Sequence, residues 1–279
     1  GHDRMEGGAG DDLFVVDTTQ DKVVEQINQG IDEVRTWVDF TLRDHSQHIE
    51  NLTLLGTDDL KGVGNGQDNI IIGNSGNNIL DGANGDDRLI GKDGDDIYFV
   101  NSWNDVVIEA KNEGVDLVKS SATYSLRSYS QHTENLTLLG TANINGTGNG
   151  QVNTIHGNAG DNVLNGAYGD DILIGGAGND TFRDDHGADV MRGGLGDDIY
   201  FVNDIGDRAL ESANEGHDEV RSSVDYQLRH HSQHTEDLTL IGTGNINGTG
   251  NGQDNIITGN SGNNILDGAN GDDRLIGKD

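Results

Sequence analysis

Apolar residues recur along the chain in short groups that follow a nine-residue spacing. Residues 73–99 form three successive nonapeptides with the pattern Gly-x-x-Gly-x-Asp/Asn-x-apolar-x. Glycine accepts positive φ angles and Asp or Asn bonds to nearby backbone, so the first six residues predict a tight turn. The last three predict a short strand with its central side chain pointing inward, because side chains alternate between the faces of a strand.

Two nonapeptides together predict a flattened coil of turn, strand, turn and strand. A longer motif that begins at Gln47 returns at Gln131 and Gln233, at spacings of 84 and then 102 residues. These spacings differ by the length of two nonapeptides, which is one whole coil, so the longer array extends the stack without rotating the later coils. The predicted inward residues are Ile71, Leu80, Leu89 and Tyr98 in one array, and Ile155, Leu164, Leu173, Phe182, Met191 and Tyr200 in the next.

The composition indicates that such coils need more than an apolar core. Only 32% of the residues are hydrophobic, and 49 acidic against 17 basic residues give a net charge of −32. These values are typical of disordered chains. The acidic residues are 38 Asp and 11 Glu, and short oxygen ligands on tight turns favour a hard cation.

Composition also excludes several classes of protein. The negative charge argues against nucleic acid as a partner. The absence of Cys excludes disulfides and thiolate zinc sites. No stretch approaches the roughly 20 apolar residues of a transmembrane helix.

Two nonapeptides, Gly7–Val15 and Gly193–Phe201, match the full pattern Gly-Gly-x-Gly-x-Asp-x-apolar-x. In this the chain resembles the RTX, or hemolysin-type, calcium-binding repeat proteins. The resemblance implies an all-β fold, a parallel β-roll or β-solenoid with 18-residue coils and calcium bound between stacked turns. It also implies a bacterial extracellular or cell-surface protein that leaves the cell unfolded by type I secretion.

The expected calcium ligand is the side chain of the sixth residue of each nonapeptide, and backbone carbonyls are expected to complete the coordination shell of each ion. We expect roughly seven or eight calcium ions in the whole chain. Turns on one edge lie two nonapeptides apart, so Asn69 is expected to face Asp87, and Asn78 to face Asp96. In the alternative interpretation these residues only form turns. The turn 184–189 lacks its first two glycines, which leaves its sites in doubt. The expected ligands are Asp3, Asp12, Asn69, Asn78, Asp87, Asp96, Asn153, Asn162, Asp171, Asp180, Asp189, Asp198, Asn255, Asn264 and Asp273.

Between the arrays the pattern is looser, and we expect the same solenoid to continue there with few calcium sites. The predicted order is the end of an array (1–15), a calcium-poor segment (16–63), four nonapeptides (64–99), a second calcium-poor segment (100–147), six nonapeptides (148–201), a third calcium-poor segment (202–249) and a truncated array (250–279).

No catalytic motif of the H-E-x-x-H or G-x-S-x-G type is present, so we do not expect an enzyme. The leading hypothesis is a calcium-stabilised spacer, stalk or filament segment, as in adhesins, that folds on binding calcium outside the cell. The alternative is an accessory module of a secreted RTX enzyme that binds extracellular polysaccharide or assists folding. Expected partners are neighbouring RTX repeats or identical chains stacked end to end, because solenoid ends expose open strand edges.

Overall fold

The computed structural model describes residues 1–183 and 185–278, apart from the side chain of residue 129. Asp184 of the irregular turn and Asp279 of the truncated array therefore lie outside the described residues. The described residues form thirty short strands and three helices of one turn each. No helix among them is long and apolar enough to cross a membrane.

The first fifteen strands are β1 (Arg4–Glu6), β2 (Leu13–Val16), β3 (Lys22–Val24), β4 (Glu33–Thr36), β5 (Phe40–Thr41), β6 (Asn51–Leu54), β7 (Lys61–Val63), β8 (Ile70–Ile72), β9 (Ile79–Asp81), β10 (Arg88–Ile90), β11 (Ile97–Val100), β12 (Val106–Ile108), β13 (Leu117–Ser120), β14 (Tyr124–Ser125) and β15 (Asn135–Leu138). The next fifteen are β16 (Gly146–Thr147), β17 (Thr154–His156), β18 (Val163–Asn165), β19 (Ile172–Ala177), β20 (Thr181–Arg183), β21 (Val190–Leu195), β22 (Ile199–Val202), β23 (Arg208–Leu210), β24 (Glu219–Ser222), β25 (Tyr226–Gln227), β26 (Asp237–Leu240), β27 (Gly248–Thr249), β28 (Ile256–Thr258), β29 (Leu266–Asp267) and β30 (Arg274–Ile276). The helices are α1 (Leu42–His45), α2 (Leu126–Tyr129) and α3 (Leu228–His231).

The chain divides into two compact units, Gly1–Asn135 and Leu136–Asp279. In the first unit one sheet has the strand order β12-β10-β8-β6-β4-β2, so each strand pairs with the second strand along the chain. All these pairs are parallel, and Leu89 lies opposite Ile71, which is two nonapeptides earlier in the chain. In the second unit Leu173 pairs in the same way with Ile155. The prediction of an all-β parallel solenoid with 18-residue coils is confirmed.

The core of each unit is a single column of apolar side chains between two strands of a coil. All ten predicted inward residues are completely buried. Their neighbours along each strand point outward, as the outward positions Ile70 and Ile172 show. The largest core side chains also stack on one another, and the rings of Phe182 and Tyr200 lie 4.9 Å apart. Each regular coil therefore contributes two inward apolar side chains to the core, one from each of its strands.

The segments between arrays continue the parallel pairing but with longer turns. Tyr98 pairs with Val118, 20 residues later, and Phe40 pairs with Gly62, 22 residues later. Both spacings exceed the 18 residues of a regular coil. The extra residues stay in the turns, so the strands keep their inward faces. The single-turn helices, which the sequence pattern did not predict, each add one buried leucine to the core: Leu42, Leu126 and Leu228.

The 18-residue coil makes a specific prediction about deletions. Removing residues 175–192 takes one coil from the second array and joins Ile174 to Gly193, which reproduces the four-nonapeptide order of the first array. We expect this variant to keep the calcium-dependent β spectrum of the parent protein.

Removing only residues 175–183 deletes half a coil and moves every later turn to the opposite edge. This matched variant should lose cooperative folding. Circular dichroism and thermal unfolding in calcium compare the two, and equal stability of both deletions would contradict the coil assignment.

Candidate metal centre

A carboxylate at the sixth position of a turn binds the coil that precedes it. The backbone N–H of Asn69 donates to Oδ1 of Asp87 at 2.7 Å, and the N–H of Asn78 donates to Oδ1 of Asp96 at 2.5 Å. The partners are 18 residues apart, so the predicted facing pairs are confirmed. The same bond recurs in the second unit, where the N–H of Asp180 donates to Asp198 at 2.6 Å.

The second oxygen of these carboxylates is buried and has no hydrogen-bond partner among the described residues. A buried anionic oxygen without a donor is strongly unfavourable, so each of these atoms requires a positive charge or a proton. The atoms are Oδ2 of Asp12, Asp87, Asp96, Asp171, Asp180, Asp189 and Asp198.

Glycine at the first position of the turn makes room for this oxygen. A Cβ on Gly82 would overlap the carboxylate of Asp87, and a Cβ on Gly166 would overlap that of Asp171. A Cβ on Gly148 would overlap the carbonyl oxygen of Gly166, which belongs to the next coil. Both kinds of oxygen meet beside Gly175, where a Cβ would overlap Oδ2 of Asp180 and the carbonyl oxygen of Gly193.

The irregular turn 184–189 keeps this arrangement in its described part. Gly187 has φ +147°, in the region that favours glycine. The N–H of Asp171 donates to Oδ1 of Asp189 at 2.6 Å. Asp189 is completely buried, so the loss of the first two glycines does not displace its carboxylate.

The six turns with Asn at the sixth position are built differently. They also carry Asn at the second position, and its N–H donates to the sixth-position side chain, for example from Asn65 to Oδ1 of Asn69 at 2.8 Å. The Asn69 amide then donates to the carbonyls of Ile49 and Glu50 in the preceding coil. The pairs that share this backbone-to-side-chain bond are Asn65–Asn69, Asn74–Asn78, Asn149–Asn153, Asn158–Asn162, Asn251–Asn255 and Asn260–Asn264.

An amide N–H group therefore meets carbonyl oxygens at the first coils of an array, where a cation would otherwise meet them. Asn162 and Asn255 make the same contacts, to Ile144 and to Thr235 with Glu236. The role of the six leading asparagines as calcium ligands stays a prediction. The second-position asparagines were missed, although each directly follows a glycine in the sequence.

The first coil after an array closes one edge with hydrogen bonds alone. Oδ1 of Asp105 accepts the N–H of Asp87 at 2.9 Å. Its Oδ2 accepts the N–H groups of Asn101 and Ser102 at 2.9 and 3.0 Å. Asp207 is held in the same way by Asp189, Asn203 and Asp204, so these carboxylates are satisfied without a cation.

The other edge of the same coil brings three carboxylates together. Three such clusters occur among the described residues, and in each one the ligand atoms lie within 4.8 Å of one another. We call them the terminal clusters: Asp12, Glu25 and Asp32; Asp96, Glu109 and Asp116; and Asp198, Glu211 and Asp218. The sequence predicts the first member of each cluster as a ligand but neither of the other two. Their signal was the recurrence of the glutamate at the same spacings of 84 and 102 residues.

Burial raises the pKa of five turn aspartates and of two cluster glutamates because it removes solvent from the charged form. The pKa rises to about 7 for Asp87, Asp96, Asp171, Asp180 and Asp198. Burial together with the neighbouring Asp116 and Asp96 raises the pKa of Glu109 to about 10. For Glu211 burial is again the main cause, and its pKa rises to about 8.

The two ends of the expected ligand series differ from its centre. Asp3 is exposed and lies near the N-terminal amine, at 3.9 Å. Asp273 is half-buried, and its Oδ1 accepts the N–H of Asn255 at 2.9 Å. The series therefore has its buried, unpartnered oxygens in the interior.

Calcium fits the interior turns on three counts. It prefers oxygen ligands, about 6–8 of them in a flexible geometry. The turns offer carboxylate and carbonyl oxygens, and the unpartnered Oδ2 atoms need a cation. Bound calcium would supply charge neutralisation and would link two successive coils. These features define a parallel β-solenoid whose turns are suited to calcium.

The comparison with known families agrees with this class. A family model of the RTX calcium-binding nonapeptide repeat, four copies long, matches residues 1–18, 63–98, 147–182, 165–200 and 249–279. The chain belongs to the RTX calcium-binding repeat family. The last two members of every terminal cluster lie outside the matched residues.

A curated relative matches over a short stretch. Over 67 residues the chain is 43% identical to endo-1,3-1,4-beta-glycanase ExsH of Rhizobium meliloti (strain 1021). The match covers 24% of this chain and 14% of the glycanase. The chain thus spans a small part of that relative.

The raised pKa values predict a pH dependence whose direction reverses with calcium. Asp171 and Asp180 each have an ordinary pKa of 3.8 and a folded-state pKa of about 7. Without calcium, folding should weaken as the pH rises from about 4 to about 7 and change little above that. With calcium, protons compete for the same oxygens, so acid should weaken binding instead.

Acid titrations followed by circular dichroism, in saturating calcium and in excess chelator, test this reversal. In calcium the β signal should fall as the pH drops toward about 4, whereas in chelator any β signal should increase as the pH drops below about 7. The same direction of change in both solutions would contradict the assignment of these aspartates as ligands.

Proposed function

We propose that this chain is a calcium-stabilised structural repeat module, a spacer or stalk of a larger secreted protein, that folds when it meets calcium outside the cell. The observation that carries the proposal is the set of seven turn aspartates whose Oδ2 atom is buried and has no hydrogen-bond partner among the described residues. In the absence of a cation these atoms oppose folding, and with calcium they join one coil to the next. Calcium binding by these carboxylates therefore both induces folding and stabilises the folded chain.

The charge of the chain supports this coupling. The net charge of −32 favours an expanded chain, because like charges repel. About seven or eight calcium ions would cancel roughly half of it. Each site at 100 times its dissociation constant adds about 2.7 kcal/mol to the free energy of unfolding.

The dependence of folding on calcium also accounts, within this proposal, for how the chain would be exported. Calcium is scarce in the bacterial cytosol and abundant outside the cell, so the chain would stay unfolded until it left. An unfolded chain suits type I secretion, which the RTX family membership supports. Open strand edges would then associate with neighbouring repeats or with identical chains.

A second candidate function is an accessory module of a secreted enzyme that acts on polysaccharide. The short match to a beta-glycanase favours it. Calorimetry with soluble mixed-linkage beta-glucan, in calcium, separates the two candidates. We expect no measurable binding, and saturable binding would favour the accessory module.

The main prediction is that chelation unfolds the chain. In excess chelator we expect a disordered circular dichroism spectrum and an enlarged hydrodynamic radius, because the buried carboxylates lack a counter-charge. Added calcium should restore the β spectrum cooperatively, whereas magnesium at equal concentration should not, since it requires a smaller octahedral site. A native β spectrum in excess chelator would refute the proposed function.

A pair of substitutions tests the ligands directly. Asp87→Asn replaces a buried carboxylate that has an unpartnered oxygen, and it should weaken calcium binding at that turn by about tenfold or more. Asp93→Asn removes the same charge from an exposed position of the same array and should leave the titration unchanged. Isothermal titration calorimetry measures both, and equal effects would show that only net charge matters.

A further inference from the structure

The terminal clusters combine groups from two successive coils. In the cluster of Asp96, Glu109 and Asp116, the first residue comes from the last repeat of the array and the other two from the following coil. The N–H of Asp96 donates to Oδ1 of Asp116 at 2.9 Å, which continues the bond between successive turns. The other two clusters repeat this bond, from Asp12 to Asp32 at 2.8 Å and from Asp198 to Asp218 at 2.9 Å.

The glutamate of each cluster occupies the place of a missing glycine. Glu109 follows Gly91 by the length of one regular coil. A Cβ on Gly91 would overlap both the Glu109 and the Asp96 carboxylates, so the glutamate side chain extends into the space beside that glycine. Two extra residues in the turn then place Asp116 at a spacing of 20 from Asp96.

Several oxygens of these clusters are buried and have no partner. Glu25 and Glu109 are 4% and 7% exposed, and their Oε2 atoms lack a hydrogen-bond partner among the described residues. Oε2 of Glu211 is in the same state. Each of these atoms lies in a cluster whose aspartate also has an unpartnered oxygen: Asp12 and Asp32, Asp96, and Asp198.

Within the described part of the chain, no ion pair supplies a positive charge to the clusters. Among the ion pairs of the described residues, none joins a Lys or Arg to any of the nine carboxylates. The hydroxyl groups of Tyr98 and Tyr200 donate to Glu109 and Glu211, but Phe14 stands at that position in the first copy. Hydrogen bonding from tyrosine is therefore not the common feature of the three clusters.

We propose that each terminal cluster is a calcium site of a second kind, with three carboxylates, which joins the last repeat of an array to the coil that follows it. The proposal rests on the calcium-stabilised function above and adds ligands that the repeat pattern does not contain. Interior turns supply one unpartnered aspartate oxygen each, whereas a terminal cluster adds a glutamate and a second aspartate. The larger negative charge should make the terminal sites the tighter ones.

The experiment compares a triple glutamine variant with a matched control by calcium calorimetry on the full chain. Glu25→Gln, Glu109→Gln and Glu211→Gln together keep the side-chain shape but remove one charge from each cluster. Three ions should be lost from the titration, or their affinity should fall by about tenfold or more. The control is Asp44→Asn, Asp58→Asn and Asp93→Asn together, which removes the same number of charges from exposed residues outside the clusters, and it should bind calcium as the parent does.

Two results would overturn the proposal. If the triple variant binds calcium as the parent does, the glutamates are neutral acids that glutamine replaces. If the control loses the same ions, the effect is one of net charge. Failure of the proposed function would look different, since Asp87→Asn and chelation would then also leave the protein unchanged.

A single variant keeps the test decisive if the triple variant does not fold. Glu109→Gln alone leaves the other two clusters and every interior turn intact, and it should remove or weaken one ion. Tyr98→Phe alone reproduces the first copy, where Phe14 stands, and should preserve the ion count. Loss of an ion in Tyr98→Phe but not in Glu109→Gln would assign the contact to tyrosine and reject the cluster as a site.

Discussion

The structure depends on how each turn aspartate uses its two carboxylate oxygens. Oδ1 accepts a backbone N–H from the preceding coil, as between Asn153 and Asp171 at 2.7 Å. Oδ2 lies buried, and no described residue donates a hydrogen bond to it. One oxygen thus sets the register between coils, and the other makes that register unfavourable until a cation arrives. Three other features are compatible with this arrangement. They are the glycine beside the carboxylate, the 18-residue spacing of paired strands and the core with one inward side chain per strand.

Arrays begin and end with different chemistry. At the start, asparagine amides such as that of Asn255 donate to carbonyls of the previous coil, so the stack begins on neutral groups. At the end, one edge closes with N–H groups around Asp207, and the opposite edge gathers the carboxylates of Asp198, Glu211 and Asp218. Each array therefore has a direction, which a uniform repeat would lack.

Much of the fold could be predicted from the sequence because its period is local and strict. A nine-residue spacing determines which side chain of each strand points inward. The ten predicted inward residues, of which Ile71 is the first and Tyr200 the last, all lie in the core. The sites were harder to predict, because spacing does not show whether an oxygen accepts a hydrogen bond or remains unpartnered. Asp105 and Asp87 are both turn aspartates, yet N–H groups satisfy only the first. Glu109 was missed because it replaces a glycine, and the two added residues before Asp116 break the nonapeptide pattern.

The second array exceeds the first by one coil, and the extra repeats lie between its asparagine turns and its terminal cluster. Both boundaries are therefore the same in a short array and a long one. A duplication of one whole coil inside an array would copy a unit that already fits its neighbours on both sides, and it would require no compensating substitution. The number of coils can then change in a single genetic step. The length of an array can thus vary by whole coils, whereas the residues at its two boundaries are of the same kind in both arrays.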